Sequence, residues 1–237
     1  MSLFAQLLHA IPLALPFECA ICKRWPSSSF EGVSGVCQSC IQTHAKAPAF
    51  PVPAGLDVCV AAVDFDAPWS ALISRYKFAP EPGLARIFAG LLLRDERVRT
   101  LLTNADIVMP LPLAPERLEE RGFNQALTLA KHLVAKSKID SSSLIRTRNT
   151  APQRLLDREA RQRNVANAFA LQANTGVAYS SIFKGKNILL VDDVATTGAT
   201  LVAAAEPLCK AGAARISAVV IARTPLTAAL LPHPSAP

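Results

Sequence analysis

Apolar residues along this chain fall into two kinds of run. Val58 to Phe65, Asp106 to Met109, Ile188 to Val191 and Ile216 to Ala222 are short and nearly continuous. Such runs are too short for core helices and too unbroken for strands with one wet face, so they predict strands buried on both faces. Between them the apolar positions recur with helical spacing. Asn124 to Lys136 carries Leu127, Ala130, Leu133 and Val134 on one face, and Pro68 to Tyr76, Pro82 to Arg94 and Leu201 to Cys209 predict further helices. A short strand is expected near Leu144. Helices set between buried strands imply an α/β fold, a mainly parallel sheet flanked by helices with right-handed crossovers. Ala45 to Gly55, stiffened by Pro48, Pro51 and Pro53, reads as a linker. It divides an N-terminal segment, residues 1–50, from a main domain, residues 55–237. The proline-rich tail from Thr224 is predicted to fray, and no internal repeat is evident.

The run Ile188-Leu189-Leu190-Val191-Asp192-Asp193-Val194-Ala195-Thr196-Thr197-Gly198-Ala199-Thr200 is the most informative stretch. An apolar strand ends in two adjacent carboxylates, and a Thr/Gly loop then opens a helix. Loop amides and the positive end of a helix dipole make a cradle for an anion. Thr196, Thr197 and Thr200 supply hydroxyls, and Gly198 permits a tight turn between Ala195 and Ala199. Asp192 and Asp193 sit where open α/β sheets bind ligands, beyond the carboxyl ends of the strands. Carboxylates repel phosphate but accept hydrogen bonds from vicinal hydroxyls. The combination predicts a phosphorylated ribose, with its phosphate on the loop and its hydroxyls on the acids. A strand–turn–helix whose acids merely cap the helix is the bland alternative.

Two further stretches carry chemistry. After the strand at Asp106 come Pro110, Pro112 and Pro115, a rigid turn, followed by Arg121-Gly122-Phe123-Asn124-Gln125. Arg121 and Gln125 bring donors near the next helix, and Asn124 suits its N-cap. Between Arg146 and Arg163 lie Arg146, Arg148, Arg154, Arg158, Arg161 and Arg163. This is either a solvated helix face or a basic hood over the active site. Arg75 and Lys77 are weaker candidates for phosphate contact.

The N-terminal segment holds Cys19-Ala-Ile-Cys22 and Cys37-Gln-Ser-Cys40, with 14 residues between the pairs. Two such knuckles bring four thiolates to the corners of a tetrahedron, the geometry of structural Zn²⁺. Serines, Pro26, Gly32 and Gly35 between them suit a ribbon of short strands. A Cys₄ set does not by itself choose zinc over an iron–sulfur centre. His44 is a spare ligand that a closed Cys₄ site does not need. Cys59 and Cys209 fall outside the spacing and read as core thiols.

Charge and compartment refine this picture. The net charge is +7, and residues 111–170 hold 11 basic against 6 acidic groups while residues 1–110 are balanced. The excess lies beside the proposed anion site, which suits a diphosphate; nucleic acid is the competing explanation. No apolar run reaches membrane-spanning length. Leu3 to Phe17 is apolar but lacks a basic flank and is broken by Pro12 and Pro16, so it is no signal peptide. The expected location is the cytoplasm.

The acid pair and its loop resemble the signature of type I phosphoribosyltransferases, which bind 5-phosphoribosyl-1-diphosphate (PRPP) with Mg²⁺. The order of motifs resembles the ComF family in particular: Cys₄ knuckles after Leu15-Pro16-Phe17, then Tyr76-Lys77-Phe78, Pro110-Leu-Pro112-Leu with Arg121 to Gln125, Gln153 with Arg161 and Asn164, and finally Val191 to Thr200. The likeness spans nearly the whole chain. Met109 and Leu111 stand where more β-branched residues are expected. The resemblance implies a zinc-binding segment on a phosphoribosyltransferase fold. It implies PRPP binding at Asp192, Asp193, Ala195, Thr196, Thr197, Gly198, Ala199 and Thr200, with Arg121, Asn124, Gln125, Gln153 and Arg161 as diphosphate or hood residues. It also implies a link to DNA uptake and to proteins of the competence machinery. No residue is identified as a general base, and the acceptor pocket has no signature. The alternative is a non-catalytic protein that binds single-stranded DNA and uses the fold as a PRPP sensor. Only 6% of residues are aromatic and none lies between Arg146 and Asn167, so stacking platforms there are few.

Overall fold

The computed structural model describes residues 16–46, 51–78, 81–147, 168–172 and 182–224. Its centre is a four-stranded sheet of β1 (Val58–Asp64), β2 (Ile107–Pro110), β5 (Asn187–Ala195) and β6 (Arg215–Arg223), in the order β1-β6-β5-β2. Every neighbouring pair in it is parallel. A separate antiparallel pair joins β3 (Leu144–Arg146) to β4 (Phe169–Leu171).

Alternation along the strands divides the core into two layers. Leu189, Val191, Val219 and Ile221 face α2 (Trp69–Phe78), α3 (Pro82–Leu93), α4 (Glu96–Asn104) and α6 (Gln125–Leu133). Ile188, Leu190, Ala218 and Val220 face α7 (Ala199–Lys210) and the β3–β4 pair. Each large aliphatic side chain buried in these layers stabilises the fold by roughly 1.5–3 kcal/mol. The mainly parallel α/β sheet read from the sequence is therefore present, with helices on both faces.

Three helices depart from the sequence expectation. The segment α4 was not anticipated; Asp95 caps it by accepting from Arg97 N at 2.8 Å, and Val98 and Leu102 bury its inner face. The stretch expected as a rigid proline turn contains α5 (Pro115–Arg121), with Pro115 in its first turn and Gly122 at φ +73° ending it. Proline pre-sets the dihedral of a first helical turn, and glycine carries the left-handed residue that stops one. The Cys segment holds isolated bridges, Phe17–Ser27 and Phe30–Val33, and a helix, α1 (Gln38–His44), in place of a strand ribbon.

The Cys segment packs into the main core. Val33, Val36 and Ile41 are fully buried with α3 residues. A Cβ at Gly90 of α3 would come within 3.2 Å of Val33 Cα, a tight approach that glycine meets without displacing its neighbour. Arg94 Nε donates to Glu31 at 2.7 Å, and Trp69 Nε1 donates to the His44 carbonyl at 2.8 Å. Among the described residues no helix is long and apolar enough to cross a membrane.

Candidate functional site

Strand β5 runs on through the acid pair to Ala195, so both carboxylates lie inside the strand, near its carboxyl end. The chain then turns at Gly198, φ +77°, straight into α7. A Cβ at Gly198 would fall 2.5 Å from Pro53 Cγ. The conformation and the space thus both require glycine, and the linker proline forms one wall of the turn. Thr197 Oγ1 accepts from Ala199 N at 3.3 Å, closing the loop onto the first residue of the helix.

The two acids have different surroundings. Asp193 Oδ2 lies 3.5 Å from Lys77 Nζ, with both side chains largely enclosed. Lys77 in turn lies over the Phe65 ring, 5.9 Å from its centroid. Asp192 accepts from Asp193 N at 2.8 Å. Burial and the neighbouring Asp193 charge push its carboxyl up to about 7, against the pull of Lys77 and Arg146. Burial and the charge of Arg117 hold Arg146 below its usual range, while Asp192 opposes that shift. Arg146 also lies over Phe169 at 5.4 Å. Lys77 of α2 and Arg146 of β3 therefore both act on the acid pair, and Arg117 of α5 acts on Arg146 in turn.

The R-G-F-N-Q stretch is tied to the same corner. Asn124 caps α6 by accepting from Leu127 N at 3.1 Å, and its amide donates to the Leu111 carbonyl just past β2. Gln125 is 2% exposed. Its amide donates to the Lys77 carbonyl at 2.9 Å, and its own backbone carbonyl accepts from Tyr76 OH at 2.8 Å. Arg121 donates to Gln125 Oε1 at 3.2 Å and lies over the exposed Phe78 ring at 5.4 Å. Its Nε is buried, and among the described residues it has no hydrogen-bond partner. Burial first, and then the charge of Asp193, raises the Tyr76 phenol.

In the N-terminal segment the Sγ atoms of Cys19, Cys22, Cys37 and Cys40 all lie within 4.8 Å of one another. Cys22 and Cys37 sulfurs are 3.7 Å apart, and Cys37 N donates to Cys19 Sγ at 3.4 Å. Burial would raise the Cys19 thiol, but amide donors from Cys37, Cys22 and Ile21 outweigh it and bring it to about 6. Burial and hydrogen bonds within the cluster raise Cys40. An amide-stabilised thiolate among four converging sulfurs fits a soft divalent metal.

A model of the "Phosphoribosyl transferase domain" family matches residues 125–230. The chain is 31% identical over 229 residues to "DNA utilization protein YhgH" of Escherichia coli O6:H1, covering 92% of this chain and 96% of that protein. It is 34% identical over 161 residues to "Competence protein F" of Haemophilus influenzae, covering 66% of this chain and 68% of that one. Against "Competence protein ComFC" of Bacillus subtilis the identity is 36% over 119 residues, half of this chain and 45% of the other.

This chain belongs to the ComF family. Its phosphoribosyltransferase-type fold, with the Cys cluster docked on α3, agrees with the motif order read from the sequence.

Several of the predicted residues come together at the carboxyl end of the sheet: Asp192, Asp193, the Ala195 to Thr200 loop and Lys77. Arg121, Asn124 and Gln125 adjoin them through the Lys77 carbonyl. Arg75 does not join; it pairs with Glu81 at 2.7 Å. Gln153, Arg161 and the other arginines from Arg148 to Arg163 lie outside the described residues. Cys59 is a core thiol at 5% exposure, but Cys209 is exposed, contrary to expectation. It sits one residue beyond Leu208, about 100° around the helix from the face that Leu208 buries. Pro53, Arg117 and Phe65 were not singled out from the sequence. Their signal is tertiary, since each reaches the site from a distant segment.

Proposed function

We propose that this ComF-family chain binds PRPP with Mg²⁺ at the carboxyl end of β5 and transfers its phosphoribosyl group to an acceptor still to be identified. The observation that carries this reading is the Gly198 turn, which sets a helix N-terminus directly beyond two part-enclosed carboxylates. The 195–200 loop takes the 5′-phosphate and the acids take the ribose 2′ and 3′ hydroxyls. Mg²⁺, a hard cation that keeps oxygen ligands, supplies charge neutralisation on the diphosphate. Arg121, held by Gln125, and Arg146 lie on the side where that charge is to be met. The Cys₄ cluster takes zinc in a structural role. Relatives named for DNA utilization and for competence support a role for this chain in DNA uptake or use, and a net charge of +7 suits a polyanion such as DNA as a second ligand.

Calorimetric titration of Mg²⁺–PRPP into the wild type and into an Asp192→Asn, Asp193→Asn double variant tests the reading. Binding by the wild type and loss in a folded double variant is the expected result, and justifies a screen for diphosphate release. A wild type that fails to bind millimolar PRPP overturns it. Salt-sensitive DNA binding indifferent to PRPP would then favour the DNA-binding alternative.

A further inference from the structure

The acid site occupies one end of the sheet. At the other, the amino ends of the strands, a cavity of about 740 Å³ lies between α4 and the sheet. Its floor is a row fixed by strand register: Val58 pairs with Ser217, and Ser217 with Leu189. Leu101 of α4 forms part of the opposite wall.

Ser217 is the anomaly. From Ile216 to Ala222 every other residue of β6 is apolar and buried. Ser217 is only 6% exposed, and among the described residues its hydroxyl has no hydrogen-bond partner. It borders the cavity. The hydroxyl opens into this space, where water or a ligand can complete its bond.

The charges at the mouth differ in their commitments. Asp57 accepts from Ile216 N at 2.8 Å, and Arg97 pairs with Asp95 at 2.6 Å. Among the described residues, the Arg215 guanidinium and the Glu96 carboxylate have no ion-pair partner. The Arg215 guanidinium can take one anionic group, and the Glu96 carboxylate at the same mouth repels further negative charge, which disfavours a polyphosphate. The volume is that of a metabolite site, and the mixture of apolar walls with a few polar anchors is typical of one.

We propose that this groove binds a small amphipathic monoanion: an apolar or aromatic body over Val58, Leu101 and Leu189, a hydrogen bond to Ser217 Oγ, and the anionic group at Arg215. The site is independent of the phosphoribosyl reading, because it shares no residue with the acid site.

The probe is 8-anilinonaphthalene-1-sulfonate, an aromatic monoanion, titrated into the folded full chain. Saturable fluorescence enhancement is expected, with amide shifts at Thr100, Asn104 and Ser217 in two-dimensional NMR. Arg215→Glu, at an exposed position, should weaken the affinity about tenfold, whereas Lys131→Glu on the exposed side of α6 should leave it unchanged. Ser217→Val, which keeps the size and removes the hydroxyl, should weaken binding of a hydroxyl-accepting carboxylate such as indole-3-acetate. The Asp192→Asn, Asp193→Asn variant should bind like the wild type. Equal weakening by Arg215→Glu and Lys131→Glu, amide shifts confined to other regions, or non-saturable binding would each overturn the proposal.

Discussion

The Cys cluster and the acid site are built by opposite strategies. All four sulfurs come from a stretch of 22 residues, and two short knuckles alone bring them within reach of a common ion. The acid site takes Asp192 and Asp193 from β5, Lys77 from α2, Arg146 from β3 and a wall from Pro53. The first is local in sequence and is packed against α3. The second is distributed and depends on the whole sheet. A ligand set written at fixed spacing survives changes elsewhere in the fold, whereas a site gathered from four segments reports on every one of them.

The sharpest way to break this contrast is to remove two of the clustered cysteines. Cys19→Ser with Cys22→Ser should abolish zinc in elemental analysis and lower Tm by about 10 °C or more, because metal binding and folding of such a segment are one process. A melt that stays put would make the segment a separable module. Gly198→Val comes next: φ +77° and the 2.5 Å approach to Pro53 both penalise a side chain. It should cost about 2–4 kcal/mol in urea unfolding and remove PRPP binding.

The acid site should also show itself in pH. The Asp192 carboxyl titrates near 7 in the folded chain against 3.8 ordinarily, so the folded state binds the extra proton between about pH 4 and 7. Stability therefore falls as pH rises through that window, and the deficit is complete above it. Asp192→Asn should stabilise the ligand-free chain at pH 8 by on the order of 2 kcal/mol and leave it unchanged at pH 4. Equal effects at both values would place the cause in packing. The smallest effect belongs to Arg75→Ala, whose partner Glu81 is also exposed. It should change stability by less than about 1 kcal/mol and leave PRPP affinity intact, separating this arginine from Lys77 two residues on.

Much of this was legible from residue order. Apolar runs located the four main strands, because strands buried on both faces leave an unbroken signature. The knuckle spacing located the four-sulfur cluster for the same local reason. The misses have physical causes too. Helix α4 has a charged outer face and only Val98 and Leu102 as buried residues, so its apolar stripe is faint. Helix α5 buries none of its residues and rests on Pro115 and Gly122. Lys77 was read only as a weaker candidate for phosphate contact, on a par with Arg75; its ion pair with Asp193 spans more than 100 residues, a distance at which spacing carries no information.

The strand order has a kinetic consequence. Among the described residues β1 hydrogen-bonds in the central sheet only to β6, so the earliest of these strands waits for the latest. Until Arg215 to Arg223 leaves the ribosome, Val58 to Val63 is an apolar edge with nothing beside it. Non-local pairing of this kind slows folding and lengthens the exposure of sticky surface. A nascent chain stalled before β6 should therefore be a chaperone client and a target for proteolysis, and release of that final strand should be the event that commits the molecule to its native state.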